Sequence, residues 1–297
     1  MNVRIGSGLV VVDKPSGLTS HDVVGRLRKL LGTRKIGHAG TLDPMATGVL
    51  VLGVERATRL LGHLALDTKA YTATIRLGAS TSTDDAEGEV VSSADASGVG
   101  QDAVRTGMAA LTGDIEQVPS TVSAIKVDGK RAHARARAGE EVVLVARPVT
   151  VSEFALQASR TDGQYLDLDV TVECTSGTYV RALARDLGAG LGVGGHLTAL
   201  RRTRVGPFEL DTARTLDELA EAPALTHPLD IAVATAFRVR IADAAEATAL
   251  SFGRPLDAAG LAGVYAVTDT DGRALALVSE VEGRAKPMLV LAPAGGD

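Results

Sequence analysis

The sequence predicts an α+β protein with a mixed, largely antiparallel sheet, and three observations favour this fold class. Strands outnumber helices along the chain, without the steady alternation of strand and helix that is typical of a parallel sheet. Residues 69–78 (KAYTATIRLG) and 165–173 (YLDLDVTVE) alternate apolar and polar side chains, as half-buried strands do. The 297 residues, 45% hydrophobic and 23% charged, have a globular composition.

The first third of the chain combines buried strands with helices. The apolar run LVVVDKP (9–15) predicts a strand that ends at a proline turn. Ser20 is a good N-cap residue, so we expect a helix from there to Gly32. A long ordered loop at 33–47 would precede a strand at 48–54. Next we expect a helix at 55–66, a strand at 69–78, a polar, acidic and flexible insertion at 80–100, and a helix at 101–113.

The rest of the chain predicts a second, smaller domain. A proline-bearing linker at 221–230 separates domains that we place at 1–225 and 231–297, the first with an insertion at about 115–145 and the second acidic and mostly β. Before the linker we expect a basic helix at 129–141, strands at 142–157 and 164–173, a helix at 178–192, a strand within 196–210 and a helix near 214–222. After it we expect strands at 237–241, 263–268, 274–280 and 286–291 and a helix at 243–252.

Sequence motifs that bind common cofactors or metals are either absent from this chain or lack the expected structural context. The segment GAGLGVGG (188–195) contains a formal G-x-G-x-x-G, but it follows a helix instead of a strand. No P-loop, G-x-S-x-G or H-E-x-x-H motif occurs, and Cys174 is the only cysteine. A hard cation could bind the acidic residues of segment 84–89, although a solvated loop is the favoured interpretation.

Charge and hydropathy suggest where the protein acts and on what. No segment approaches the roughly 18 consecutive apolar residues of a membrane helix, and the N-terminus is a poor signal peptide, so we expect a cytoplasmic protein without membrane contact. The net charge of −5 argues weakly against a nucleic-acid partner. However, residues 1–80 hold 11 Lys and Arg against 5 Asp and Glu, whereas residues 211–297 hold 7 against 13. The basic block fits a nucleic-acid surface or a solvated face.

Asp43 is the one acidic residue in the glycine-rich segment GHAGTLDPMATGVLVLG (37–53). Because aspartate before proline favours turns, a structural role for Asp43 is about as well supported by this segment as a catalytic one. The glycines favour catalysis slightly, since they let a ligand approach the backbone closely. Pro44 would stiffen the turn that presents the carboxylate.

Several segments occur in an order that resembles the bacterial tRNA pseudouridine-55 synthases of the TruB type. The resemblance covers about residues 8–210, and its most specific motifs are G-T-L-D-P and SGTYVRALARDLG. The C-terminal part is similar, less sharply, to the short PUA-like RNA-binding tail of this family. The matching segments are GLVVVDKPSGLTSHDVV, RKIGHAGTLDPMATGVLVLGVERATRL, KAYTATIRLGASTSTDDAEG, VPSTVSAIKVDGKRAHARARAGEEV, RPVTV and CTSGTYVRALARDLGAGLGVGGHLTALRR.

The resemblance implies a pseudouridine synthase-like catalytic domain and a defined reaction. Members of this family isomerise one uridine in the T loop of tRNA: the base is detached at N1, turned, and rejoined through C5. No cofactor or metal is needed, the enzyme is a monomer, and the uridine is flipped into the pocket. The family aspartate of G-T-L-D-P corresponds to Asp43, which would attack the sugar or the ring or assist glycal formation.

Two further catalytic residues follow from the resemblance. Arg181 would pair with Asp43 and keep it ionised and oriented, since a bidentate arginine fixes a carboxylate in geometry and charge. Tyr71 would stack on the flipped uracil, and its hydroxyl could assist proton removal at C5. Their structural alternatives are a surface helix arginine and a half-buried strand tyrosine.

The resemblance also assigns residues that bind the nucleotide. Tyr179 would line the pocket, Leu200 would close its apolar wall, and His38 would help to hold the extruded nucleotide. A core leucine and a capped loop histidine are the alternatives for the last two. Lys14 is similar to a lysine next to the active-site loop, and we group it with the residues that bind substrate or RNA.

The basic residues of the chain would then contact RNA. Val122 and His133 depart from the family pattern, which often has aromatic residues at these places. An RNA-binding protein without turnover and a carboxylate hydrolase are the alternative functions, the latter disfavoured because no second acid is evident near Asp43. Expected phosphate contacts are Arg26, Arg28, Lys29, Arg34, Lys35, Lys126, Lys130, Arg131, Arg201 and Arg202, with Arg238, Arg240, Arg254 and Lys286 on the acceptor stem.

Overall fold

A ten-stranded sheet is the main layer of the described part of the protein in the computed structural model, which describes residues 5–65, 68–120, 126–127, 130–131 and 144–295. The strands in chain order are β1 (Gly8–Lys14), β2 (Ile36–Ala39), β3 (Thr47–Val54), β4 (Lys69–Leu77), β5 (Ala79–Thr81), β6 (Val90–Ser93), β7 (Gly113–Gln117), β8 (Lys126–Val127), β9 (Lys130–Arg131), β10 (Arg147–Asp162), β11 (Tyr165–Cys174), β12 (Gly195–Val205), β13 (Phe208–Glu209), β14 (His227–Pro228), β15 (Val239–Ile241), β16 (Leu256–Asp257), β17 (Val264–Thr268), β18 (Ala274–Val281) and β19 (Arg284–Val290). The helices are α1 (Ser20–Leu30), α2 (Leu61–Leu64), α3 (Gln101–Ala110), α4 (Val180–Gly190), α5 (Leu216–Glu221), α6 (Leu229–Ala236) and α7 (Ala244–Ser251), with 3₁₀ turns at Glu55–Leu60 and Leu210–Thr212.

The main sheet confirms the predicted mixed, largely antiparallel architecture. Its strands follow the spatial order β14-β1-β3-β12-β4-β11-β10-β7, with β2 paired to β3 and β13 to β12. Within it, β12 runs parallel to β3 and the other pairs are antiparallel. Because β12 lies between β3 and β4, it brings the loop that precedes β3 close to the side chains of β4.

The apolar strands β1 and β3 are buried on both faces, which explains their continuous runs of Val and Leu. Val10 and Val12 of β1 pack in one core together with Leu27 of α1. Leu9 and Val11 point the other way, into a second core that includes residues of the C-terminal sheet. By contrast, β4 and β11 alternate buried and less buried residues, as their sequences predict.

A five-stranded sheet in the order β15-β17-β18-β19-β16 forms a small, mostly β C-terminal unit, as predicted. It packs against the main sheet through the second core and through two arginines of the first 3₁₀ turn. The Arg56 guanidinium donates to the Leu291 carbonyl at 3.1 Å, and that of Arg59 donates to the Val290 carbonyl at 3.0 Å. The domain limits at 1–225 and 231–297 remain a prediction.

Four local predictions differ from the structure. The N-cap of α1 is Thr19, not Ser20, because Thr19 and Asp22 form a reciprocal capping box. The expected loop at 33–47 contains β2, and the expected flexible insertion at 80–100 contains β5 and β6, which pair with each other. The expected linker at 221–230 contains β14, which pairs with β1. In each of these three segments, strand pairing stabilises residues whose local composition is typical of a loop.

Much of the predicted insertion at 115–145 lies outside the described residues, including Val122, His133 and most of the expected helix at 129–141. The described part contains the antiparallel pair β8 and β9. Among the helices of the described residues, none is long and apolar enough to span a membrane.

Candidate active site

Asp43 lies in the loop that connects β2 to β3, and hydrogen bonds fix this loop on both sides of the carboxylate. The Ser20 hydroxyl donates to the Leu42 carbonyl at 3.1 Å and accepts from the Leu42 amide at 2.9 Å. On the other side, the Gly17 amide donates to the Pro44 carbonyl at 2.8 Å. Ser20, although not the N-cap of α1, therefore ties the start of this helix to the aspartate loop.

Lys14 lies beneath the same loop and has no exposed surface. Its Nζ donates to the carbonyls of Pro15, Leu18 and Pro44 at 3.0, 2.6 and 3.2 Å. Burial lowers the pKa of Lys14 to about 8, against the opposing effect of Asp43. The structure thus places Lys14 next to the loop that carries Asp43, as the resemblance implies. It corrects the grouping of Lys14 with the direct RNA contacts, since RNA cannot reach a fully buried ammonium group.

Arg181, in the first turn of α4, pairs with Asp43 at 3.0 Å between Nη2 and Oδ2. The Arg181 side chain is 4% exposed, whereas that of Asp43 is 37% exposed. The guanidinium also lies 3.3 Å from Oδ2 of Asp85 and donates to the Thr83 carbonyl at 2.8 Å. Asp85 and the Thr83 carbonyl therefore fix Nη1 of Arg181, while Nη2 faces Asp43.

Asp85 is a buried second carboxylate that the sequence analysis missed. Its side chain is 4% exposed and accepts hydrogen bonds from the Thr83 hydroxyl and from the Glu87 amide. The favoured interpretation of segment 84–89 as a solvated loop is wrong at this position, because Asp85 is the inner partner of Arg181. The expectation that no second acid lies near Asp43 is also wrong: Asp85 is close by, and Arg181 separates the two carboxylates. Asp85 is buried behind the guanidinium and does not line the cavity, whereas the two acids of a glycoside hydrolase both flank the bond that breaks.

Opposing effects act on the ionisation of Asp43. Burial raises the pKa of the Asp43 carboxyl, and the nearby Asp85 raises it further. The guanidinium of Arg181 and the ammonium of Lys14 lower the Asp43 pKa. Arg181 therefore favours the ionised carboxylate that a nucleophile or base requires.

A cavity of about 240 Å³ opens in front of this ion pair. This volume is below the ~300–1,000 Å³ of pockets for drug-sized ligands and suits a single base. Its floor and walls combine cationic, aromatic and apolar groups. The predicted residues that line it are Asp43, Tyr71, Tyr179, Arg181, Leu200 and Arg202, together with Gly40, Thr41, Leu42, Lys69, Ser176, Gly177, Thr178 and Val180.

Two tyrosines of the cavity are positioned by secondary structure. Tyr71 is largely buried on the inner face of β4, where burial raises the pKa of its hydroxyl and Arg202 opposes this rise. Tyr179 precedes α4, and its backbone is held at both ends by Gln117 of β7. The Gln117 side chain accepts from the Tyr179 amide at 2.8 Å and donates to its carbonyl at 3.1 Å.

Three family models match consecutive parts of the chain. The N-terminal domain model of the TruB family pseudouridylate synthases matches residues 28–180. A tRNA pseudouridylate synthase B C-terminal domain model matches residues 181–233, and a tRNA pseudouridine synthase II C-terminal model matches residues 237–292. The chain belongs to the TruB family.

Curated relatives and a solved structure extend the TruB match over nearly the whole chain. The tRNA pseudouridine synthase B of Nocardia farcinica is 67% identical over 97% of this chain and 94% of its own length. That of Rhodococcus jostii is 65% identical over 98% and 95%. A chain of an H/ACA ribonucleoprotein bound to a substrate RNA containing 2′-deoxyuridine superposes with a TM-score of 0.73, 25% identity, and coverage of 99% of this chain and 87% of that chain.

His38, which the TruB resemblance places by the RNA, lies on β2 outside the cavity lining. It is half-buried and contacts His21 edge to face, with ring centroids 5.5 Å apart. Its Nδ1 is buried without a hydrogen-bond partner among the described residues, and burial lowers the pKa of the ring. A role of His38 in holding the nucleotide remains a prediction.

Neighbouring arginines of β12 differ in their surroundings. Arg201 is partly exposed and pairs with both oxygens of Asp13, at 3.0 and 2.7 Å. Arg202 is 1% exposed, and its guanidinium donates to three backbone carbonyls. The prediction that Arg202 faces tRNA phosphates is therefore corrected, because its charge lies at the cavity floor.

The remaining predicted phosphate contacts stay predictions. Arg26, Arg28, Lys29, Arg34 and Lys35 are exposed near α1. The side chains of the insertion residues Lys126, Lys130 and Arg131 lie outside the described part of the chain.

Paired charges also account for part of the acidic segment 84–89. Asp84 lies 3.4 Å from Arg185, and Asp85 pairs with Arg181. In the part of the chain that the structure describes, no group of three His, Cys, Asp or Glu side chains is placed to hold a metal ion.

Proposed function

We propose that this protein is a tRNA pseudouridine synthase that isomerises uridine 55 in the T stem-loop of tRNA and acts as a monomer. Membership of the TruB family supports the reaction, and relatives named tRNA pseudouridine synthase B support the substrate. The ion pair of Asp43 with Arg181 at the mouth of a base-sized cavity is the observation that carries the proposal.

The cavity would receive one extruded base. A uridine inside a folded loop cannot reach a carboxylate on the cavity wall unless it leaves the base stack. Tyr71 would then stack on the uracil, Leu200 would supply the apolar wall, and Tyr179 would close the side next to α4. Gly40, with a φ of 81°, has no side chain, which leaves room for the sugar to approach Asp43.

The reaction requires an ionised carboxylate and a base that can turn. The C1′–N1 bond breaks with its electron pair on N1, and Asp43 either bonds to C1′ or removes a proton from C2′ to give a glycal. The detached uracil turns, and its C5 forms the new bond to C1′ as the Asp43–C1′ bond breaks or, in the glycal route, as Asp43 returns the proton to C2′. The C5 proton then leaves with assistance from Tyr71, and N1 takes up a proton, so the product is an isomer of the substrate. Arg181 keeps Asp43 ionised and oriented before the first step.

Recognition of the T stem-loop would come mainly from the shape of the RNA and from contacts with the extruded base. The exposed basic residues around α1 would contact phosphates, which position the RNA without reading its sequence. The expected consequence is strong, salt-sensitive binding of the T stem-loop.

Mapping of the product tests this function. An unmodified tRNA transcript is incubated with the protein, and pseudouridine is located by carbodiimide modification and primer extension. A stop at position 55 that is lost in a transcript with cytidine at this position supports the proposal. Modification at another position, with position 55 untouched, would contradict it. Binding without any modification would instead favour an RNA-binding protein that lacks turnover.

A further inference from the structure

Arg202 carries a buried positive charge that the steps above do not use. Its Nε donates to the Val49 carbonyl at 2.7 Å, its Nη2 to the Gly40 carbonyl at 3.1 Å and its Nη1 to the Thr41 carbonyl at 3.3 Å. No carboxylate of the described residues lies within ion-pair distance of this guanidinium. A buried charge without a counter-ion is costly, so a role beyond packing is expected for it.

The sheet register places Arg202 directly opposite Tyr71. The two residues are paired across β12 and β4, and paired residues of neighbouring strands project to the same face. Both side chains line the cavity, and the positive charge of Arg202 lowers the pKa of the Tyr71 hydroxyl. On its other side, Arg202 is paired with Gly48 of β3.

We propose that Arg202 is a positioning residue that acts through Tyr71 and holds its hydroxyl over the flipped uracil. This inference rests on the proposed isomerisation. Because Arg202 also binds the carbonyls of Gly40 and Thr41, it links the loop of Asp43 to the strand of Tyr71. One side chain therefore sets the separation between the carboxylate and the phenol.

The charge of Arg202 matters at the last step. The Tyr71 phenolate takes the proton from C5, the electron pair of the C5–H bond forms the C5=C6 double bond, the π electron pair of the C6=N1 bond moves onto N1, and N1 takes a proton from water. The phenol afterwards returns its proton to the resulting hydroxide. Burial, Cys174 and Asp43 all raise the pKa of Tyr71, and Arg202 is the charged group that opposes them.

A double-mutant cycle tests the coupling. Arg202→Met, Arg202→Lys, Tyr71→Phe and the pair Arg202→Met with Tyr71→Phe are compared for kcat of tritium release from C5, tRNA affinity and thermal unfolding. Arg204→Met is the matched control, since Arg204 lies on the same strand and pairs with Glu173 outside the cavity lining.

We expect Arg202→Met to lower kcat about ten- to a hundredfold, with tRNA affinity nearly unchanged, and Arg202→Lys to retain part of the activity. In the Tyr71→Phe background, Arg202→Met should lower kcat less than about threefold, because the hydroxyl on which Arg202 acts is absent. Losses that multiply in the double variant would overturn the proposal, since a merely structural arginine acts independently of the hydroxyl.

A spectroscopic measurement tests the same contact without relying on activity. The four tyrosines are replaced by 3-fluorotyrosine, and the ¹⁹F resonance that disappears in Tyr71→Phe is titrated with pH. Its midpoint should lie at higher pH in Arg202→Met than in the parent protein and should not move in Arg204→Met. An unmoved midpoint in Arg202→Met would refute the contact. If the parent protein released no tritium, the isomerase would fail, whereas this titration would still decide the role of Arg202 toward Tyr71.

Discussion

Arg181 and Asp43 form a 3.0 Å ion pair in which the arginine is almost fully buried and the carboxylate faces a cavity. The inner edge of the guanidinium is fixed by Asp85 and by the Thr83 carbonyl, so it cannot follow Asp43 into solvent. Asp43 is thus held by a rigid partner while one side remains open to a substrate. Such an arrangement is suited to a nucleophile or base that must stay ionised at the moment of reaction.

The pH dependence of activity should reveal the Arg181–Asp43 pair. Arg181 lowers the pKa of Asp43 against the effect of burial, so its removal raises that pKa. Activity requires the ionised carboxylate and is lost as the pH falls through the Asp43 pKa. We therefore expect the acid limb of kcat/KM to move to higher pH in Arg181→Met and less in Arg181→Lys. Profiles of tritium release between about pH 4 and 8 measure this shift, and an acid limb that stays in place would show that Arg181 does not tune Asp43.

Asp85 should matter for turnover more than for RNA binding. Asp85→Asn removes one charge that holds Arg181, which costs roughly 1.5–3 kcal/mol for a hydrogen bond to a charged group. We expect kcat to fall about tenfold or more, and tRNA affinity to change little. Asp84→Asn is the matched control, because Asp84 pairs with Arg185 instead of Arg181. Equal losses in single-turnover rates for both variants would contradict a specific role for Asp85.

Gly48 should be the least replaceable glycine of the aspartate segment. It adopts a φ of 98°, and a Cβ there would lie 2.1 Å from the Arg202 carbonyl oxygen. Gly48→Ala should therefore lower the free energy of unfolding by about 3 kcal/mol or more. Gly25→Ala, in α1 with nothing within 4 Å of the added methyl, should instead stabilise by about 0.5–1 kcal/mol. Urea unfolding of both variants measures the difference, and similar stabilities would disprove the close approach of β3 and β12.

Salt should weaken tRNA binding in proportion to the phosphate contacts. Each contact contributes a slope of about −0.7 to −0.9 in a plot of log K against log salt. Arg26→Gln combined with Lys29→Gln should reduce the magnitude of the slope by about 1.5, because both residues are exposed on α1. Arg105→Gln, an exposed control on α3, should leave it unchanged. Filter binding at several salt concentrations gives the slopes, and a flat response of the parent protein would refute the phosphate contacts.

Much of the fold follows from local pattern in the sequence. The alternation in KAYTATIRLG places Tyr71 on the buried face of β4, and the apolar runs of β1 and β3 predict strands buried on both sides. The short strands β2 and β14 escaped prediction because long-range pairing with β3 and β1 stabilises them. Local composition does not contain this information.

The sequence likewise predicts some residues of the candidate site and not others. Asp43, Tyr71 and Arg181 follow from the motifs of a known family, and the structure brings them to one cavity. Asp85 was missed because an aspartate among Thr, Ser and Glu is typical of a solvated loop, and only its partners show that it is buried. For Arg202 a signal was present: β12 alternates, so Arg202 shares the inner face with Leu200.

Asp43 is the proposed catalyst of the isomerisation of a tRNA uridine. The most direct measurement uses T stem-loop RNA tritiated at uracil C5, incubated in parallel with the parent protein and with Asp43→Asn. We expect tritium release by the parent protein, none by the variant, and tRNA binding by both. Release by Asp43→Asn at the parental rate, or no release by a parent protein that binds the RNA, would contradict it.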